Sequence, residues 1–198
     1  MDTTLENYLK SKHILCEGKS ADISEQVEKL IELSSEPNIN IMEIGFNAGH
    51  SSELFLKNNN TSKVLSFDLG EYNSVEVGKD YIDCMYPGRH TLILGDSKET
   101  IPKFIIDNSN IKFDLIFIDG GHDYLTAKSD LENSYLLSHT NTLIIMDDVV
   151  YTPSWEQHYT VGPTKIWVEH VMSKKIFELG SKDYKNGRGM AWGKPHML

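Results

Sequence analysis

Short apolar runs recur along the chain, each stopped by a charged residue or a glycine turn, and each of the first four followed by residues with helical spacing. They fall at residues 40–44 (NIMEI), 63–67 (KVLSF), 90–94 (HTLIL), 113–118 (FDLIFI) and 142–146 (TLIIM). Runs this short, bounded by turns, read as buried strands. The helix-like stretches between them cover residues 53–57, a polar span reaching Asp83 before the break at Pro87 and Gly88, residues 98–106 with Pro102 inside, and residues 125–137. Strand and helix alternating in this way predict a parallel sheet with right-handed crossovers and helices on both faces. Upstream, residues 20–23 supply turn and cap residues for a helix over 24–34, whose Val27, Leu30, Ile31 and Leu33 approximate one apolar face. Downstream, residues 149–163 form an aromatic-rich loop and 164–174 a helix carrying Ile166, Trp167, His170 and Val171 near one face. Two strands, 176–179 and 189–192, are joined through the Asn186-Gly187 turn signal. The expectation is a doubly wound α/β fold. It has a seven-stranded sheet, mostly parallel with the last strand antiparallel, in one domain: a helical cap over 1–36 and a core over 37–198.

The apolar runs end in acid. Asp119 follows the fourth, and Asp147 and Asp148 follow the fifth. A right-handed crossover brings both ends to the same edge of the sheet, where open α/β sheets bind ligands. Three carboxylates gathered there repel unless a cation or a proton lies between them. A hard divalent cation such as Mg²⁺, which takes oxygen ligands, would balance them.

After the first run comes a glycine turn spaced Glu43-x-Gly45-x-x-x-Gly49. This departs from the G-x-G-x-x-G of dinucleotide binders, and an acid beside it disfavours a pyrophosphate. The combination suits a ligand with a cationic end. Asp68 closes the second run about 20 residues on, where an acid can accept hydrogen bonds from ribose hydroxyls. His50, Ser51 and Ser52 either touch that ligand or cap the following helix.

Composition narrows the classes. The 198 residues are 39% hydrophobic and 24% charged, the balance of a globular chain. A formal charge of −10 argues against nonspecific binding to nucleic acid or to an anionic membrane. Cys16 and Cys84 make no disulfide framework or zinc pattern. The first residues carry no apolar signal-peptide region, and no run approaches about 18 apolar residues. A cytoplasmic location is expected.

The ordered set IMEIGFNAGHSS, SFDLG, LILGDSKETIPKF, FDLIFIDGGHDY, LIIMDDVV and GPTKIWVEHV resembles the class I S-adenosylmethionine-dependent methyltransferases, which are Rossmann-like, and within them the small metal-dependent O-methyltransferases. The resemblance spans roughly residues 40 to 195. It implies that Glu43, Gly45 and Gly49, with Phe46, Asn47 and Ser51 of the same loop, line the methionine end of the cofactor. It also implies that Asp68 holds the ribose and that Asp96 and Ser97 lie beside the adenine. Asp119, next to the cofactor, joins Asp147 and Asp148 as metal ligands. Catechol-type enzymes have asparagine at the last position, so Asp148 makes this rim more anionic. Where they place a lysine base three residues past the first aspartate, this chain has His122, as in metal-dependent sugar O-methyltransferases. The acceptor implied is a small molecule, a sugar or a vicinal diol. His122, with an ordinary pKa of about 6.5, would take its proton. It could instead cap the helix that follows.

Asp123 and Tyr124 shape the turn after His122. Trp155, His158, Tyr159 and Lys165 either form an acceptor lid or simply pack, residues 15–24 either roof the ligand or cover the sheet, and Trp167 and Trp192 belong to the core. The group's small enzymes are often homodimers. Two alternatives stay open. One is a metal-independent methyltransferase acting on an amine or other acceptor; the other is a protein that binds S-adenosylmethionine without catalysis. A nicotinamide dehydrogenase fits the loop spacing least.

Overall fold

The computed structural model describes residues 4–16 and 22–196. Its strands are β1 (Asn40–Ile44), β2 (Lys63–Asp68), β3 (His90–Leu94), β4 (Phe113–Ile118), β5 (Ser138–Asp147), β6 (Ile176–Tyr184) and β7 (Arg188–Pro195). They form one seven-stranded sheet in the order β3-β2-β1-β4-β5-β7-β6. β1 to β5 pair in parallel, and β7 runs antiparallel to β5 on one side and β6 on the other. This is the expected Rossmann-like sheet with its last strand reversed.

Side chains alternate across the strands as a two-residue repeat requires. Ile41, Val64, Leu115, Phe117 and Ile145 face one layer, with Leu5 and Leu9 of α1 (Leu5–Ser11), Leu30 of α2 (Ser24–Leu33), Phe55 of α3 (His50–Asn58) and Ile82 of α4 (Asn73–Met85). Met42, Ile44, Phe67, Ile116, Ile118, Ile144 and Met146 face the other, against Ile101 of α5 (Ser97–Asp107), Leu131 of α6 (Tyr124–Leu136) and Trp167 of α7 (Val161–Met172). Both faces of the central strands are covered, which is why their sequences are continuously apolar.

Several boundaries differ from the sequence expectation. β5 begins four residues earlier, at Ser138, with a register shift opposite Phe113 and Leu115; its apolar run marks only the buried half. α7 begins at Val161, so Pro163 lies inside its first turn, where a missing N–H costs nothing. β6 and β7 extend beyond their apolar cores, with a register shift between Glu178 and Gly180. α1 carries Leu5 and Leu9 one turn apart and buried, with Thr4 as its cap. Of the cap segment, residues 17–21 lie outside the described residues, so the turn at 20–21 and much of the 15–24 stretch are not placed. Trp167 is fully buried and its Nε1 donates to Glu178 Oε2 at 2.6 Å, whereas Trp192 is partly buried against the first layer. No described helix is long and apolar enough to cross a membrane.

Candidate active site

The carboxyl ends of β1 to β5 open into a cavity of about 1130 Å³. Its floor is the glycine turn after β1. Gly45 has φ +96, and a Cβ there would lie 1.9 Å from the Asp119 carbonyl, so only glycine lets the ends of β1 and β4 meet this closely. The Asp119 amide donates to Ile44 O at 2.8 Å, and the Gly45 amide to Phe67 O at 2.8 Å, which ties three strand ends together. Asp68 then fixes the loop: its Oδ2 accepts from the Phe46 and Asn47 amides at 2.9 and 2.8 Å, and its Oδ1 from the Gly70 amide at 2.8 Å. Gly45, Phe46, Asn47, Ser51 and Asp68 all line the cavity.

Glu43 and Gly49 do not line it. Glu43 is fully buried beneath the loop, where the hydroxyls of Ser51, Ser52 and Ser66 donate to its carboxylate at 2.5, 2.6 and 2.6 Å. Burial raises its pKa, against the partial opposition of those hydroxyls. Gly49 caps α3 with φ +85 and packs on the Phe46 ring. In this geometry both act through the loop rather than at the cavity surface.

Asp96 and Ser97 lie on the wall formed by the end of β3 and the start of α5. Asp96 is the α5 cap: Oδ1 accepts from the Lys98 amide at 2.9 Å, and Oδ2 lies 3.4 Å from Lys98 Nζ.

The acids after β4 and β5 divide into two sets. Asp119, His122 and Asp148 offer ligand atoms that lie within 4.8 Å of one another. His122 Nε2 is 2.9 Å from Asp148 Oδ2, and this hydrogen bond is the main reason its pKa is raised; Asp148 is 5% exposed. Asp148 has φ +58, a left-handed conformation that aspartate tolerates better than most residues. Asp147 is buried in a different direction. Gln26 Nε2 of α2 donates to its Oδ1 at 2.8 Å, and its Oδ2 is 3.9 Å from the Arg188 guanidinium. Burial, then repulsion from Asp148, pushes the Asp147 carboxyl up. Burial, then Asp147 and Asp148, holds Asp119 well above the usual carboxylate range.

Arg188, at the start of β7, was not apparent from the sequence. Its Nε is 3.9 Å from Asp148 Oδ1; burial opposes its charge, but Asp147, Asp148 and Asp119 outweigh that and raise its pKa. The only signal was position: Arg188 follows the Asn186-Gly187 turn in the strand that pairs with acid-bearing β5. Tyr159 lines the cavity with its ring 5.8 Å from that of His122. His158 stacks edge-on to Tyr159, Lys165 lies over the Tyr124 ring at 4.6 Å, and Trp155 is on the surface. Asp123 caps α6 through its Oδ1. His13, Ile14, Leu15 and Cys16 also reach the cavity, and Leu15 is 90% exposed.

A methyltransferase-domain family matches residues 42–149, from within β1 past the two acids, Asp147 and Asp148, at the end of β5. Among solved structures, an O-methyltransferase of Bacillus cereus in complex with SAH is similar: TM-score 0.76 at 18% identity, covering 98% of this chain and 91% of that one. The O-methyltransferase TomG of Streptomyces achromogenes, involved in tomaymycin synthesis and in complex with SAM, gives 0.73 at 14%, covering 96% and 87%. The SAH-bound Podospora anserina methyltransferase PaMTH1 gives 0.72 at 16%, covering 100% and 89%. At these identities the likeness is one of fold. A comparison with curated proteins gave no match.

Proposed function

The chain belongs to the methyltransferase-domain family, and we propose that it moves a methyl group from S-adenosylmethionine to a hydroxyl of a small molecule, a sugar or a vicinal diol, with a divalent cation at the acidic rim. The observation that carries the reading is the placing of Asp119, His122 and Asp148 on the same cavity wall as the Gly45–Asn47 turn. The turn and Asp68 would take the cofactor, whose sulfonium suits an anionic surface. Asp96 and Ser97 would flank the adenine. SAM and SAH bound to structural neighbours support the choice of cofactor.

The donor set fits a hard dication. Fully ionised, Asp119, Asp147 and Asp148 would carry three negative charges against the one positive charge of Arg188, a difference that one Mg²⁺ would balance. Asp148 Oδ1 and Asp147 Oδ2 are buried and complete no hydrogen bond among the described residues. Asp119 and Asp148 would hold the cation, with Asp147 behind them neutralised by Arg188 and fixed by Gln26. Bound there, Mg²⁺ would supply Lewis-acid stabilisation of the acceptor's developing charge and a template for two vicinal oxygens. His122 would take the acceptor proton: Asp148 accepts from Nε2, which leaves Nδ1 as the basic nitrogen. The cavity wall would align acceptor oxygen, methyl carbon and sulfur.

The test is transfer of labelled methyl from S-adenosylmethionine to panels of sugars, catechols and amines, in EDTA and in Mg²⁺. Turnover of a diol that stops in EDTA and returns with Mg²⁺ is expected. Turnover indifferent to EDTA would favour a metal-independent enzyme, a reading that Arg188 supports because it already places one cation against these acids.

A further inference from the structure

Arg188 opens β7, and two residues on, Met190 stands opposite Asp147 at the end of β5. Residues two apart share one side of a strand, so Arg188 lies on the side of Met190, just past the end of β5. Gly189 brings the two chains together: a Cβ there would lie 2.4 Å from the Val149 carbonyl, so glycine lets β7 close on the backbone that follows Asp148. The Arg188 side chain is 15% exposed, and the residue lines the cavity.

The guanidinium faces two carboxylates at once. Its Nη2 is 3.9 Å from Asp147 Oδ2, and its Nε is 3.9 Å from Asp148 Oδ1. Charged hydrogen bonds close at about 2.7–2.9 Å, so at this separation Arg188 acts on both acids through its field and does not take up their lone pairs. Both of those oxygens are buried and complete no hydrogen bond among the described residues. The acids are held from their other oxygens, Asp147 by Gln26 at 2.8 Å and Asp148 by His122 at 2.9 Å. Among the described residues, no lysine and no other arginine forms an ion pair with Asp119, Asp147 or Asp148. A fixed positive charge that leaves the ligand atoms open weakens a cation site without dismantling it.

We infer that Arg188 sets how tightly the rim holds its divalent cation: its tethered charge shares Asp147 and Asp148 with the ion, so the metal is held loosely and exchanges. The inference rests on the reading that a dication binds at Asp119 and Asp148. With Arg188 in place and the acids ionised, the loaded rim is formally neutral, and the cofactor's sulfonium and the oxyanion forming on the acceptor are left to attract one another. Without Arg188 the loaded rim is anionic and opposes that oxyanion.

The experiment is titration of the full chain with Mn²⁺, which shares the oxygen ligands of Mg²⁺. Binding is read by loss of the free-ion electron paramagnetic resonance signal and then by competition with Mg²⁺. Arg188→Gln and Arg188→Met should hold either ion about tenfold or more tighter than wild type, and Arg188→Lys, which keeps the charge, should stay within about threefold. The direction separates this from a structural role, since removing an arginine that merely braced the acids would weaken the site. Adding Asp119→Ala to Arg188→Gln should abolish the tight binding, which ties it to the rim. Thermal unfolding in EDTA identifies the folded variants; should both neutral ones be unfolded there, Mn²⁺ must refold them, as tight binding to the native state requires. Neutral variants that bind no tighter than wild type or fail to refold, an Arg188→Lys about tenfold away from wild type, or tight binding that survives Asp119→Ala would each overturn the inference. Of these, neutral variants that bind as wild type does leave the cation site standing. Binding of Mn²⁺ by none of the proteins would overturn the cation reading itself, and this inference with it.

Discussion

Stripped of divalent cations, the protein should lose stability as pH rises from 6.5 to 8, and magnesium should flatten that loss. Burial and mutual repulsion raise the pKa values of Asp119 and Asp147, so over this interval the folded state holds protons that the unfolded chain has released. A folded state that binds more protons becomes less stable as pH rises. His122, whose pKa is raised mainly by Asp148, contributes stability below the ordinary histidine value and loses it as pH passes through its folded pKa, with the same sign. His90, held down to about 4 by burial, and His170, also lowered by burial, act oppositely as pH rises through the unfolded histidine value of about 6.5. What remains of that opposing contribution above pH 6.5 is the same with and without metal, so the difference between the two slopes reports the rim. The two acids titrate as a unit, so we count one proton, worth about 1.4 kcal/mol per pH unit. Over this window that gives at most about 2 kcal/mol, or roughly 4–8 °C in Tm for a chain of this size. Glu43 has the same sign but lies beneath the loop, so it contributes equally with and without metal and drops out of the difference. The assay is thermal unfolding by circular dichroism at pH 6.5 and 8, in EDTA and in Mg²⁺. Equal pH slopes in the two would refute a cation site at this rim.

Three substitutions probe separate parts of the site. Asp119→Ala should cut metal-dependent turnover by at least about 100-fold while leaving the affinity for S-adenosylhomocysteine within a few-fold, since the glycine turn and Asp68 remain; steady-state kinetics and calorimetry check the two halves. His122→Asn should lower kcat by about 10²- to 10⁴-fold and remove the acid limb of the pH–kcat profile. An unchanged profile would reassign the proton acceptor. Gly45→Ala meets the Asp119 carbonyl, which is backbone and cannot swing aside, and adds a strained φ of +96. It should cost about 2–5 kcal/mol in urea unfolding and abolish cofactor binding; a loss under about 1 kcal/mol would show that the β1–β4 junction can give.

The sheet was legible because each central strand is covered on both faces. Ile41 and Met42, Leu115 and Ile116, Ile144 and Ile145 face opposite layers, so continuous apolar runs marked β1, β4 and β5 directly. The outer strands were shorter in sequence than in space. β6 alternates exposed Phe177 and Leu179 with polar partners, and hydrophobicity cannot see the paired residues beyond its core. The α7 start hid behind Pro163, a residue that stops helices everywhere except in their first turn.

Within the site, legibility followed chain position rather than chemistry. Acids at strand ends could be assigned to one rim because parallel topology puts all such ends on one edge. Direction along that edge could not be assigned. Asp147 and Asp148 are neighbours in sequence, yet the left-handed backbone at Asp148 turns its carboxylate to His122 and Asp119 while Asp147 points to Gln26 and Arg188. Glu43 looked like a ligand residue by spacing. Three serine hydroxyls, two from α3 and one from β2, make it instead a buried anchor under the loop. Arg188 was invisible for a further reason: it meets the rim through a contact set by strand pairing, and no local motif encodes the register of β7 on β5. The acidic rim was readable as a concentration of charge. How that charge is balanced, by Arg188 from within and, on the proposed reading, by a dication from outside, depends on contacts only the folded chain makes, so the pH slope with and without magnesium tests the part that the sequence could not supply.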